Sequence, residues 1–224
     1  MTTRQYGCRE AQEYMTTTQF ADLGIDQDLV DALSERGITT PFDIQTLTIP
    51  DGLAGRDVCG KAKTGSGKTL AFGIPLIQRL SRGVPKRPTA LALVPTRELA
   101  VQVCRELEPL AEVRGLRIEA IYGGTPIEKQ IAALGKGVDF VVATPGRMID
   151  LIQQEELSVA DLVGVVIDEA DRMADMGFMP QVEWILRRTE KQHQTLLFSA
   201  TLDGMVGALI SRYQSDPVTH EVTS

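Results

Sequence analysis

The segment Ala62-Lys63-Thr64-Gly65-Ser66-Gly67-Lys68-Thr69 has the residue types and spacing of a loop that holds phosphate. Its glycines let the backbone curl so that several N–H groups point inward at an anion. A helix beginning near Lys68 adds the positive end of its dipole. Lys68 is placed to reach β- and γ-phosphates, and the Thr69 hydroxyl to hold Mg²⁺. The pattern usually opens on Gly; here Ala62 takes that place.

A second centre of chemistry follows the apolar run Val163–Ile167. It delivers Asp168-Glu169-Ala170-Asp171. Asp168 suits a Mg²⁺ ion, directly or through water, and Glu169 suits the orientation and deprotonation of an attacking water. Two acids opening a helix are also favoured by its dipole alone. The phosphate loop upstream weights the catalytic reading over that plain one.

Elements must bring these segments together. Short apolar runs occur at Asp57–Gly60, Ala90–Val94, Ile118–Tyr122, Phe140–Ala143, Val163–Ile167 and Thr195–Ser199. Helical patterns lie near Thr69–Leu80, Arg97–Val113, Ile127–Leu134, Met148–Gln153 and Gln181–Arg187. Upstream, one helix begins near Asp26 and stops at Gly37, and a second covers Ile44–Leu53. Continuous apolar strands alternating with helices predict an α/β fold, a mostly parallel sheet with helices on both faces. Such sheets bind ligands at the carboxyl ends of their strands. Ser81–Pro88 reads as an exposed basic loop, and residues 1–18 as a flexible arm.

Bulk properties narrow the classes. The chain has 224 residues, 43% hydrophobic and 24% charged, enough for one large domain. No apolar run is long enough for a transmembrane helix, and the N-terminal stretch lacks the apolar core of a secretory signal. We read the chain as cytoplasmic and without a membrane partner. A formal charge of -7 argues against a broad basic coat for nucleic acid, but leaves room for a local phosphate track. The three cysteines and two histidines show neither a disulfide framework nor zinc spacing. Trp184, Met173, Met176 and Met179 read as packing residues.

The acidic tetrad spells the DEAD box, and further motifs follow in order. From about Phe20 to Val222 the chain resembles the first RecA-like domain of DEAD-box RNA helicases. Phe20 with Gly37-Ile38-Thr39-Thr40-Pro41-Phe42-Asp43-Ile44-Gln45 resembles the Q motif. The resemblance implies that Gln45 reads the adenine edge, that Phe20 stacks on the base, and that Thr40 belongs to the nucleotide site. The family often has Thr where this chain has Phe42. Pro95-Thr96-Arg97, Gly123-Gly124 and Thr144-Pro145-Gly146-Arg147 resemble the motifs that line an RNA backbone. These letters also suit plain caps and turns. Ser199-Ala200-Thr201 resembles the motif that couples hydrolysis to RNA, with Asp171 as partner.

The resemblance therefore implies an RecA-like P-loop domain over residues 19–222. It implies ATP and Mg²⁺ as ligands and RNA as a partner contacted with weak sequence preference. It further implies a second RecA-like domain that supplies transition-state arginines. No His-Arg-x-Gly-Arg segment occurs here, and the chain ends about where the family linker begins, so we expect a fragment with slow turnover; no amphipathic seam is visible, so we expect a monomer. Two rival readings are a related helicase acting on DNA and a non-enzymatic ATP-gated RNA clamp. Gln45 and the acidic tetrad favour RNA over DNA. Glu169 favours the enzyme over the clamp.

Overall fold

The computed structural model describes residues 18–190 and 192–222. The arm expected at 1–18 lies, but for its last residue, outside the described residues. A 3₁₀ turn at Phe20–Leu23 precedes helices α1 (Gln27–Glu35) and α2 (Asp43–Leu53). Strand β1 (Val58–Lys61), helix α3 (Lys68–Arg79), β2 (Ala90–Leu93) and α4 (Arg97–Val113) follow. Next come β3 (Ile118–Ile121), α5 (Ile127–Gly135), β4 (Phe140–Ala143), α6 (Pro145–Gln153) and β5 (Gly164–Asp168). The chain continues through α7 (Ala170–Asp175), α8 (Met179–Leu186), β6 (Gln194–Ser199), α9 (Gly204–Tyr213) and β7 (Val218–Glu221).

The seven strands form one sheet in the order β3-β4-β2-β5-β6-β1-β7, and every pairing is parallel. Alternate residues of the central strands feed two different cores. Ala92, Val166, Leu196 and Phe198 face the helices of the first half, meeting Leu33, Ile49, Phe72 and Leu107. Leu91, Leu93, Val165, Ile167 and Leu197 face those of the second half, meeting Leu134, Met148, Met173 and Ile185. Burial on both sides explains why these strands read as unbroken apolar runs.

Four elements differ from the sequence reading. Strand β7 pairs with β1 where a linker was expected, with Val218 opposite Val58 and Glu221 opposite Lys61. It is a half-exposed edge strand, so it lacks the continuous apolar run that marked the others. Helix α6 begins at Pro145, three residues before the expected start, because proline suits the first helical turn. Helices α7 and α9 carry weak signals: α7 is only 6 residues long and α9 contains Gly204 and Gly207. The Ser81–Pro88 loop is mostly exposed, yet tied down; the Gly83 amide donates to Asp139 Oδ1 at 2.6 Å.

Burial pushes the Cys59 and Cys104 thiols up to about 11 and about 12, so both stay protonated at neutral pH. Among the described residues no helix is long and apolar enough to cross a membrane.

The α3–α4 crossing is close. A Cβ on Gly73 would lie 2.2 Å from Leu107 Cδ2, and Leu107 is fully buried. Overpacking of this kind costs roughly 1–3 kcal/mol, against a helix-propensity gain of about 1 kcal/mol. We predict that Gly73→Ala lowers stability in urea denaturation; an unchanged or raised midpoint would show that the crossing relaxes freely.

Candidate active site

The sheet order sorts the motifs into two neighbouring groups. Strands β5, β6 and β1 are adjacent, and their carboxyl ends carry the acidic tetrad, Ser199 and the phosphate loop. Strands β3, β4 and β2 are adjacent too, and lead into Gly123, Thr144 and Thr96. One edge of one sheet thus presents both halves side by side, with β5 at the boundary.

The phosphate loop has the shape its glycines permit. Gly65 and Gly67 take φ of +83° and +85°, in the left-handed region that other residues rarely adopt. A Cβ at Gly67 would also lie 2.5 Å from both Gln45 Nε2 and Phe42 Cδ2. Ser66 Oγ donates to the Lys63 carbonyl at 2.7 Å and braces the turn. Lys68 is buried, with Nζ 3.8 Å from Asp168 Oδ1 and 3.5 Å from the Ala62 carbonyl. Thr64 Oγ1 donates to Glu169 Oε1 at 3.2 Å.

The acids sit deep. Asp168 accepts the Glu169 amide at 2.9 Å. Burial pushes its carboxyl up to about 6; Lys68 opposes the shift and the Glu169 and Asp171 charges reinforce it. Glu169 adopts φ +50° and pairs with Arg172 at 3.1 Å. A non-glycine in that region is strained, and such strain collects at functional sites.

Ser199 is fully buried and joins the two segments. Its hydroxyl accepts the Asp171 amide at 3.1 Å, and its carbonyl accepts the Ala62 amide at 3.1 Å. The pairing with Asp171 therefore runs through the backbone amide. Thr201 is exposed, and the N-cap position of the following helix falls at Asp203, which makes no side-chain capping bond.

The aromatic end differs from expectation. Phe20 is only 2% exposed and closes into the first core, so it has no free face for a base. Phe42 is 61% exposed and lines the cleft. Thr40 is exposed but does not line it. Gln45 is buried: its Oε1 accepts the Phe42 amide at 2.8 Å, and its Nε2 donates to the Gly67 carbonyl at 2.9 Å. It ties the aromatic residue to the phosphate loop.

A cleft of about 620 Å³ opens between Phe42, Lys68, Thr69 and Asp168. Its far wall is α4, which contributes Gln102 and Glu106. Burial raises the Glu106 carboxyl, while the facing Thr69 hydroxyl and the Arg36 charge act against that rise. No sequence motif marked Glu106. The available signal was a polar pair, Gln102 and Glu106, spaced to share the α4 face next to buried Val103 and Leu107.

On the other half, Thr96 caps α4 by accepting the Leu99 amide at 3.2 Å. Pro95 is buried, whereas Arg97 is exposed and lies 5.1 Å from the Tyr122 ring centre. Gly123, Gly124 and Gly146 are exposed, with open space where a Cβ would stand. Thr144 stands at the N-cap position of α6 without a side-chain capping bond, and Pro145 is buried in the first turn. Arg147 turns inward to Gln130 Oε1 and the Thr125 carbonyl, both at 3.1 Å.

The sequence family described as DEAD/DEAH box helicase matches residues 42–207, nearly the whole of this construction. The chain belongs to the DEAD/DEAH box helicase family. This DEAD/DEAH box chain is 45% identical over 206 residues to DEAD-box ATP-dependent RNA helicase 9 of Oryza sativa subsp. japonica, covering 90% of the chain and 32% of that protein. It is 44% identical over 201 residues to ATP-dependent RNA helicase DeaD of Escherichia coli, covering 89% and 32%. The chain thus spans about a third of the length of these curated relatives. The crystal structure of a DEAD box protein from Methanococcus jannaschii superposes with a TM-score of 0.86 at 37% identity, covering 92% of this chain and 56% of that one.

Asp168 yields a pH prediction. A carboxyl raised in the folded state stabilises the fold while protonated, and that contribution is lost as pH rises from about 4 towards about 6. Asp168→Asn leaves Lys68 without its partner at any pH, but it also removes the carboxyl whose ionisation costs stability, so the variant should compare better with wild type at pH 7 than at pH 4. Thermal unfolding at both pH values checks this, and equal effects at the two would count against a strained carboxylate.

Proposed function

We propose that this chain is the ATP-binding, RNA-contacting RecA-like domain of an ATP-dependent RNA helicase. The observation that supports it most is the buried cluster of Lys68, Asp168 and Glu169, with Ser199 bonded to both the phosphate loop and the acidic segment. A cluster built only for stability would gain nothing from a strained glutamate and a carboxyl raised by burial.

The residues present suit Mg²⁺ and ATP. Left-handed Gly65 and Gly67 shape a nest of amides, and Lys68 supplies the charge for β- and γ-phosphates. Thr69 and Asp168 would hold the metal, and a cation there would relieve the burial cost of ionised Asp168. When bound, Mg²⁺ neutralises charge on the phosphates and helps align them for in-line attack. Glu169 orients a water and takes its proton. Thr64 and Arg172 hold its carboxylate in the cleft. Phe42 offers the base an aromatic face, and Gln45, itself buried, serves the adenine end by holding Phe42 and the Gly67 loop in place, with one donor and one acceptor position still unused.

RNA lies along Thr96, Arg97, Gly123, Gly124 and Thr144 in this reading. Hydroxyls, open backbone amides and an exposed arginine suit phosphate and sugar contacts, which carry little sequence information. The relatives named above are described as ATP-dependent RNA helicases, which favours RNA over DNA. A second RecA-like domain closes over both halves and brings transition-state arginines, worth a factor of roughly 10³–10⁵ in related sites.

Calorimetric titration with ADP-Mg and GDP-Mg tests the base end. ADP should bind, GDP should bind far more weakly, and both Phe42→Ala and Gln45→Ala should weaken ADP by about tenfold or more. Equal binding of the two nucleotides with silent variants would leave a phosphate-loop domain without adenine recognition. At the chemical end, Glu169→Gln should keep ATP affinity within about threefold while lowering single-turnover hydrolysis by at least about a hundredfold. Undiminished hydrolysis would remove Glu169 from the role of base.

A further inference from the structure

Gln130 belongs to none of the motifs, yet it is buried at the point where the RNA-side loops meet. Its Nε2 donates to the Tyr122 carbonyl at 2.9 Å and to Thr125 Oγ1 at 3.2 Å. Its Oε1 accepts from Arg147 at 3.1 Å, and the same guanidinium donates to the Thr125 carbonyl at 3.1 Å. These four bonds join the end of β3, the loop after it, α5 and the first turn of α6. Both donors and the acceptor of the Gln130 amide are used.

The loop they enclose has little else to hold it. Gly123 and Gly124 are exposed, Gly124 takes φ +80°, and no heavy atom would meet a Cβ at either. Two adjacent glycines left alone would sample many conformations, and ordering them on binding would cost affinity. The same clamp reaches further. The Tyr122 carbonyl is fixed by Gln130, and the Tyr122 ring carries the Arg97 guanidinium at 5.1 Å.

We infer that Gln130 and Arg147 are positioning residues that preset the Gly123–Gly124 loop and Arg97 for an RNA backbone, Arg147 acting through the loop instead of on phosphate. The inference rests on the RNA reading above, but the clamp itself is testable without RNA. A guanidinium spans two acceptors in a fixed fork; a lysine ammonium keeps the charge and loses that geometry. A phosphate contact tolerates the lysine far better than a clamp does.

The test uses the 224-residue chain with Gln130→Ala, Arg147→Ala, Arg147→Lys and the double alanine variant. In amide NMR relaxation, all four should mobilise Gly123 and Gly124 and leave Gly65 and Gly67 unchanged. If these amides keep their wild-type order, the clamp is wrong whether or not RNA binds. In fluorescence anisotropy with single-stranded oligouridine, Arg147→Lys should weaken binding as much as Arg147→Ala, by about tenfold. The double variant should be no weaker than either single one, and the salt dependence should keep its slope. If Arg147→Lys retains affinity while Arg147→Ala lowers the salt slope by about one charge, Arg147 touches phosphate directly and the inference fails. If wild type binds no oligouridine and the NMR result holds, the clamp stands as a loop-setting device and the RNA reading is what falls.

Discussion

Lys68 and Asp168 stand 3.8 Å apart, both buried, and the rest of the structure is arranged so that they can. Either charge alone would be expensive in that position; together they lower each other's cost. Lys68 opens α3 just after β1, and Asp168 ends β5. Those strands are not neighbours. Strand β6 lies between them, and its last residue, Ser199, is bonded to the segment beyond each. The spacing of the pair thus depends on the register of the parallel sheet together with the braced loop that carries Lys68 from the end of β1.

That dependence explains what could be read in the residues and what could not. Strands β1, β2, β4, β5 and β6 were legible because burial on two faces leaves little room for polar alternation, and β3 was legible from its isoleucines although it is a half-buried edge strand carrying Glu119. The phosphate loop and acidic tetrad were legible because each needs special backbone and charge at fixed spacing. Strand β7 was not, because an edge strand with one wet face looks like a connection. Phe20 and Phe42 are both phenylalanines near the Q motif, and only the tertiary arrangement decides which ring is enclosed and which is free. Glu106 faces Thr69 solely because α4 crosses α3 there, a relation between distant segments that local spacing does not contain. Arg147 matched its motif in type and position, while its contacts depend on where α5 places Gln130.

The candidate site also holds groups at a cost in stability. Asp168 is held where ionisation is unfavourable, Glu169 in a backbone region few glutamates occupy, and Phe42 with most of its ring in water. The two cores beneath supply what these positions cost. The direct link from Gln45 to Gly67 means that the base end and the phosphate end share one hydrogen-bonded unit. A change at one is transmitted to the other through a buried amide.

The place of β1 in the sheet bears on how the chain comes together during synthesis. Its two neighbours, β6 and β7, both belong to the C-terminal end of the chain. Until that end has left the ribosome, β1 has no partner on either side and the phosphate loop has no floor. Distant pairings of this kind slow folding and leave unpaired strand edges exposed in the meantime. A nascent chain interrupted before β6 would hold β3, β4, β2 and β5 side by side while β1 and the loop it carries still lack their neighbours.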